Sequence, residues 1–276
     1  MDPQTLASTI ADAYARRFQI PAPSSLDAGF DLDTAYRTEA ALVGRRRASG
    51  HRTVGLKVGF ANKAVWRVMK LDTLVWAHMY DDTVRFAEDG AASLSLASMI
   101  SPKIEPEIVF RIARTYDSVP PAAGEPLPAG DVLASVEWIA IGFEIIDCVY
   151  PDWKFEPADF VAAYGLHAAL VIGEPLAVQP AEIPELVEQL SRFTVRLSRN
   201  GETMAEGSGR NSLRSPALCL AELQSAIRRR LGATPLAAGD LVSSGTLTES
   251  QAIVSGDTWS VDVAGIDLKP LTVSLD

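Results

Sequence analysis

Two periodicities divide the chain. From Thr5 to Arg17, Leu6, Ile10, Ala13 and Tyr14 recur at three- and four-residue spacing, which predicts a helix with one apolar face. Ile20-Pro21-Ala22-Pro23 stops it, because proline lacks the backbone N–H that the next turn needs. A second helical pattern runs from Asp33 to Ser49, with Tyr36, Ala40 and Val43 on one face and Gly50 at its end. Beyond residue 50 the dominant period shortens to two. Val54 to Phe60 alternates as a strand, Phe193 to Ala205 reads as a hairpin turning at Asn200-Gly201, and strands near Ala252 to Val254 and Trp259 to Val263 follow. Helical patterns interrupt this body from Asn62 to about Lys70, from Asp131 to Ala140 and from Pro216 to Leu231. Leu94 to Ile100 is a strand or a connector, and the prolines and glycines of residues 116 to 130 predict a loop, either a lid or a surface insertion. With helices first, strands later and no repeat or linker, the expectation is one α+β domain over residues 1–276, residues 1–50 forming a helical arm.

One strand breaks the apolar pattern with acids. In Lys103-Ile104-Glu105-Pro106-Glu107-Ile108-Val109-Phe110, side chains two apart share a face, so Glu105 and Glu107 project together while Ile104, Pro106 and Ile108 face the other way. Adjacent carboxylates repel, and both stay ionised only if water solvates them or a cation lies between them. A hard divalent cation with oxygen ligands meets that need, and two ordinary solvated glutamates would give the same pattern. Pro106 points to an edge or an irregular position, because proline cannot donate to a ladder. A third acid, Glu144, sits among Phe143, Ile145 and Ile146 in a run that reads as a buried strand, where an unpaired carboxylate is costly.

Other polar residues gather near these. Lys57 shares a strand face with Gly55 and Gly59, which predicts open space beside its ammonium for a ligand, unless the lysine merely snorkels from a sheet edge. His78, Asp81 and Asp82 fall in one polar run, and His167 stands where the chain enters an apolar strand, either as a structural histidine or as a site residue. Gly239 to Thr248 forms a turn, a strand and a hydroxyl-rich glycine loop able to offer N–H and hydroxyl groups to an anion, without the lysine and spacing of a nucleotide P-loop.

Composition narrows the class. The chain has 276 residues, 47% hydrophobic and 22% charged, which suits a globular protein with a sizeable core. A formal charge of −10 argues against a general nucleic-acid or anionic-membrane partner. Two cysteines in apolar surroundings, a start without a basic and apolar leader, and no uncharged apolar run near the roughly 18 residues of a membrane span predict a cytoplasmic protein.

Five segments in order resemble the fumarylacetoacetate hydrolase superfamily, in its 2-keto-4-pentenoate hydratase and 4-oxalocrotonate decarboxylase branch. They are Gly55-Leu56-Lys57-Val58-Gly59, His78 to Asp82, Glu105-Pro106-Glu107, Glu144 to Asp147 with Asp152-Trp153-Lys154, and Gly239-Asp240 through Gly245-Thr246-Leu247-Thr248, spanning roughly residues 30 to 265. The resemblance implies a mixed β-roll of the fumarylacetoacetase C-terminal type over residues 51–276. It also implies Mg²⁺ or Mn²⁺ on Glu105, Glu107 and Glu144, with Lys57 at the substrate carboxylate or the enol oxygen and Asp82 in proton transfer, while His78 and His167 are the candidate catalytic histidines. Thr246 would bind substrate, and Tyr164 or His167 would substitute for the polar residues that the branch carries in segment 163–167. The implied reaction is hydration of a 2-hydroxy-2,4-dienoate to a 4-hydroxy-2-oxo acid, as in aromatic catabolism, by a homo-oligomer that associates with a decarboxylase or hydratase partner. Ala163-Tyr164-Gly165-Leu166-His167 departs from the branch's polar run at that position. Decarboxylation of an oxalocrotonate and carbon–carbon hydrolysis of an acylpyruvate are therefore the alternatives within the superfamily, and a non-catalytic partner subunit is the alternative outside it.

Overall fold

The computed structural model describes residues 1–115 and 127–276, so most of the loop expected at 116–130 lies outside the described residues. Both expected helices of the N-terminal arm form. Helix α1 (Pro3–Arg16) starts where the Asp2 carboxylate accepts from the Thr5 N–H, and α3 (Leu32–Ala48) starts where Asp31 accepts from the Thr34 N–H, each side chain satisfying an otherwise orphaned donor. Between them lies the short α2 (Pro23–Leu26). Leu6, Ala7, Ile10 and Ala13 of α1 bury against Ala35 and Leu42 of α3 and against Val161 and Ala162 of a later helix, α6 (Pro157–Ala162).

Two mixed sheets make the body. Strands β1 (Thr53–Gly59), β2 (Val75–Tyr80), β3 (Val84–Phe86), β5 (Pro102–Ile112), β6 (Val136–Asp147), β7 (His167–Ile172) and β11 (Leu241–Ser243) run in the order β2-β1-β11-β5-β6-β7-β3. The two-residue strands β8 (Leu176–Ala177) and β12 (Gln251–Ala252) pair off that path with β6 and β5. The second sheet has the order β10-β9-β13-β14-β4, from β4 (Ala91–Leu94), the hairpin β9 (Thr194–Arg199) and β10 (Glu202–Ser208), β13 (Thr258–Ala264) and β14 (Leu271–Leu275). The main core lies on one face of the first sheet. There Ile104, Ile108 and Phe110 of β5 and Ile141, Phe143 and Ile145 of β6 pack with Leu190 of α7 (Ile183–Arg192), with Leu220 and Leu223 of α8 (Pro216–Arg229), and with Trp259 and Val261 of the second sheet. Alternation puts Glu105, Glu107, Val109, Ala140 and Glu144 on the opposite face, where Met79, Val109, Ala140, Leu170, Ile172 and Leu241 form a smaller apolar cluster beyond the acids.

Some expectations shift. The helix expected over Asp131 to Ala140 shrinks to α5 (Ala129–Leu133), and β6 begins at Val136, because Val136, Trp138, Ile139 and Ile141 are buried on both faces of a central strand and so show no period of two. The helix expected from Asn62 ends early, as α4 (Lys63–Trp66). Pro106 lies in a central strand rather than at an edge. Its position is still irregular: β12 pairs Lys103 and Ile104, β11 pairs Val109 to Arg111, and loop 244–250 fills the gap, with the Leu247 N–H donating to the Pro106 carbonyl. Among the described residues no helix is long and apolar enough to cross a membrane.

The glycines beside Lys57 serve packing. A Cβ on Gly55, whose φ is +148°, would lie 1.9 Å from the Leu241 carbonyl oxygen, and one on Gly59 would lie 2.3 Å from the Phe160 ring. The room left at the two glycines is therefore taken by strand β11 and by Phe160, and the open space beside Lys57 is a cavity that its side chain lines together with Gly59. Gly55→Ala is expected to lower stability by at least about 2 kcal/mol, because β1 could no longer sit against β11; a urea melt with an unchanged midpoint would show that the strands are not so close.

Candidate metal and active site

Strand register brings three carboxylates together. Glu105 and Glu144 are directly opposed across β5 and β6, and Glu107 follows two residues along the same face. One oxygen from each of Glu105, Glu107 and Glu144 lies within 4.8 Å of the others. From β1, the Lys57 ammonium reaches into this group, 3.1 Å from Glu144 Oε2, and donates to the Gly165 carbonyl at 3.0 Å. Lys57 is only 2% exposed and Glu107 and Glu144 are fully buried, so the snorkelling alternative is excluded.

Each acid is held by its own partners. Glu107 Oε2 accepts from Ser243 Oγ at 2.6 Å and from the Gly245 N–H at 2.7 Å. The hydroxyl-rich glycine loop thus does present donors to an anion, and that anion is a carboxylate of this chain. Glu144 Oε1 lies 2.9 Å from His167 Nδ1, whose Nε2 lies 2.9 Å from Thr83 Oγ1. A carboxylate only accepts, so Nδ1 carries the hydrogen.

The charges do not balance. Burial raises Glu107 well above the ordinary carboxylate value, and its neighbours Glu144 and Glu105 raise it further. Burial also lifts Glu105, to about 7, although Lys57 opposes the rise. Glu144 goes the other way: burial would raise it, but Lys57 and His167 hold it below the ordinary value. Burial would pull Lys57 down, and Glu144, Glu105 and Glu107 together keep it above its usual value, as a cation. Glu107 Oε1 is buried without a hydrogen-bond partner, and Glu144 Oε2 meets Lys57 as an ion pair without hydrogen-bond alignment. Carboxylate oxygens converging from three residues, one of Glu107 left without a partner, are the donor set that a hard divalent cation takes, so the residues fit such an ion. Glu105 and Glu107 are reached through a cavity of about 430 Å³ whose lining also includes Lys57, Asn211 and Thr246.

The other expected site residues are placed elsewhere. His78 pairs across the strands with Leu56, whereas Lys57 pairs with Ala77, so His78 points to the opposite face of the sheet. There its Nδ1 lies 2.7 Å from Glu39 of α3. Asp82 forms an ion pair with Arg46 and lines a second cavity, of about 340 Å³, together with Tyr164 and His167. Asp82 and Tyr164 are therefore separated from the Lys57 cavity, and His167 touches the triad only through Glu144. Thr246 does line the Lys57 cavity, with its hydroxyl donating to the Thr248 carbonyl at 2.8 Å. Sequence reading passed over Ser243, Gly165, Asn211 and Phe160. Ser243 fell within the loop already marked as anion-binding, whereas Gly165 and Phe160 reach Lys57 from more than 100 positions away and left no local signal.

Residues 79–271 match the family described as fumarylacetoacetate (FAA) hydrolase C-terminal, and the chain belongs to that family. Within it, the chain is 29% identical over 237 residues to a 2-hydroxyhexa-2,4-dienoate hydratase of Comamonas testosteroni, covering 85% of this chain and 83% of that protein. It is 26% identical over 261 residues to a 4-oxalocrotonate decarboxylase of Pseudomonas sp. (strain CF600), covering 95% and 92%. Among solved structures, the 4-oxalocrotonate decarboxylase of Pseudomonas putida G7, complexed with magnesium and adipate, shares the fold with a TM-score of 0.85 at 24% identity, over 99% of this chain and 97% of that one.

The raised carboxylates set a pH dependence for the metal-free protein. Between about pH 4.5 and 7 the folded chain holds protons on Glu105 and Glu107 that the unfolded chain has released, so stability falls as pH rises through this window. The depressed Glu144 acts in the opposite sense, and only below its ordinary value. The melting temperature of metal-stripped protein is expected to fall across that window, and saturating Mg²⁺ to remove the fall. A flat profile without metal would mean that the triad is solvated rather than buried.

Proposed function

We propose that the protein is a divalent-metal-dependent hydratase that adds water to a 2-hydroxy-2,4-dienoate, by way of its 2-oxo-alkenoate tautomer, to give a 4-hydroxy-2-oxo acid. The observation that carries this reading is the converging set of Glu105, Glu107 and Glu144, with an orphaned Glu107 oxygen, beside a buried lysine in an accessible cavity. The hydratase names of several curated relatives support it.

Mg²⁺ or Mn²⁺, held by the three glutamates, would act as the Lewis acid for the carboxylate and 2-oxo oxygens of the substrate. Without metal the three carboxylates keep Lys57 a cation, and in this reading its part is to place a positive charge and a donor beside the 2-oxygen, which carries enolate charge after water adds at C4 and until C3 takes up a proton. His167 orients Glu144 and, through Thr83 Oγ1, ties it to the turn after β2. The Thr246 side chain bounds the substrate space. Asp82 and Tyr164 act, in this reading, from the second cavity, behind His167. His78 is assigned to joining α3 to the sheet, which supports treating the helical arm and the β-roll as one domain. We place the protein in the cytoplasm as a homo-oligomer, open to association with a decarboxylase or hydratase partner.

Titration of metal-stripped protein with Mg²⁺ and Mn²⁺, with and without oxalate as a mimic of the chelating enolate, tests the reading. Oxalate is expected to bind only with metal. Glu107→Ala is expected to fold and to lose more metal affinity than the ~10–100-fold typical of an outer-sphere partner. Lys57→Met is expected to keep metal binding and to lose about 10²–10³ in kcat, the usual cost of removing one donor to a developing oxyanion. Assays with dienoates, oxalocrotonates and acylpyruvates then decide the reaction. Turnover of oxalocrotonate alone would make the protein a decarboxylase, carbon–carbon cleavage of an acylpyruvate would make it a hydrolase, and metal binding without any turnover would favour the non-catalytic subunit.

A further inference from the structure

One wall of the triad's cavity is aromatic, and Asn62, Asn211, Thr246, Thr248 and Ser250 line the side away from it. Phe60, Trp153, Phe155 and Phe160 form the aromatic wall and lean on one another, with ring centroids 5.4 Å apart for Phe60 and Phe160, 6.3 Å for Phe155 and Phe160, and 6.4 Å for Trp153 and Phe155. The polar edge of Trp153 is already satisfied, because its indole N–H donates to Ser101 Oγ at 2.9 Å. The backbone adds an independent sign. Phe60, Trp153 and Leu166, all lining this cavity, have φ of 58°, 57° and 57°, a left-handed conformation that bulky residues avoid. Such outliers persist where the surrounding structure over-determines them, and here they hold large apolar groups against the substrate space.

The cavity is also poor in cations. Among its described lining residues Lys57 is the only one, and it is engaged by Glu144 and Gly165, while Glu249 adds a negative charge to the same wall. The neighbouring Lys103 is held over the Trp153 ring, 4.1 Å from its centroid. A second carboxylate lying against this aromatic wall would meet ring faces, which carry negative quadrupole density, and lose water without a cationic partner. A hydrocarbon end would be buried there favourably.

We propose that Phe60, Trp153 and Phe155 form a specificity wall for the distal end of the substrate. It selects monocarboxylic 2-hydroxydienoates with an uncharged hydrocarbon tail over dicarboxylates of the oxalocrotonate type. The proposal rests on the reading that the three glutamates hold a metal and thereby the oxo-acid head.

Calorimetric titration of Mg²⁺-loaded protein separates the two. Oxalate probes the head alone, 2-oxobutyrate, 2-oxopentanoate and 2-oxohexanoate add an apolar tail, and 2-oxoadipate has the length of 2-oxohexanoate with a terminal carboxylate. Affinity is expected to rise roughly two- to fourfold per methylene along the apolar series. 2-Oxohexanoate is expected to bind at least about tenfold more tightly than 2-oxoadipate, as the cost of an unpaired carboxylate implies. Phe155→Ser and Trp153→Ala should flatten the tail dependence more than they change the oxalate affinity. If oxalate binds and 2-oxoadipate equals or exceeds 2-oxohexanoate, the specificity wall is refuted and the metal-dependent reading stands; loss of that preference in Lys103→Met would make Lys103 the receptor of the second carboxylate. If oxalate does not bind the loaded protein, the reading and the proposal fall together.

Discussion

Three carboxylates and one ammonium, brought out of water onto one face of a sheet, are the constraint on which the rest of this structure depends. With all three acids ionised they leave two uncompensated negative charges, and no burial of that kind is stable on geometry alone. The protein distributes the problem. Glu144 takes Lys57 and His167, Glu107 takes the Ser243 hydroxyl and the Gly245 N–H, and the remaining charge appears as raised proton affinity at Glu105 and Glu107. A divalent cation would discharge the same imbalance, which is why the triad reads as a metal site and not as a set of core ion pairs.

Much of the fold serves to hold this arrangement still. Strands β5 and β6 are long, central and paired along most of their length, with Ile and Phe on the face opposite the acids anchoring them to α7, α8 and the second sheet. Where β5 carries the acids, its neighbour on the other side is interrupted, and loop 244–250 leaves the sheet there while still bonding to the Ile108 and Pro106 carbonyls. That interruption opens the cavity. It also turns the Gly245 N–H toward Glu107, at a residue whose φ of +88° suits glycine. The cluster of Met79, Leu170 and Leu241 closes the same face beyond the acids.

Two cavities meet this group from different directions. The larger, with the aromatic wall, reaches Lys57, Glu105 and Glu107 directly; the smaller contains Asp82, Tyr164 and His167 and touches the triad through the Glu144 to His167 hydrogen bond. The segment 163–167, which departs from the polar run of the branch this sequence resembles, supplies contacts to both. Gly165 accepts from Lys57 on one side, and a Cβ there would lie 2.8 Å from the Lys57 Cδ, while Tyr164 and His167 face the other side. Small size at Gly165 and a satisfied imidazole at His167 are packing requirements of the triad as much as chemical ones.

The amino-acid sequence by itself determined whatever depends on local period. It specified the two helices of the arm, the hairpin at Asn200-Gly201, the shared face of Glu105 and Glu107, and the motif order that marks the family. Such features follow from neighbours two to four residues apart, and those neighbours are visible in the chain. Tertiary structure decided what depends on pairing between distant strands. The register that sets Glu144 opposite Glu105, the one-residue difference that turns His78 away from Lys57, and the arrival of Phe160 over the Gly59 Cα all lie between elements 20 to 100 residues apart. No period records them. The misread helix over Asp131 to Ala140 belongs to the same limit, since a strand buried on both faces carries no alternation to read. Asp82 looked equivalent to Lys57 along the chain, and only the fold assigned them to separate cavities, because a strand's direction is local while the surface it faces is built by the rest of the molecule.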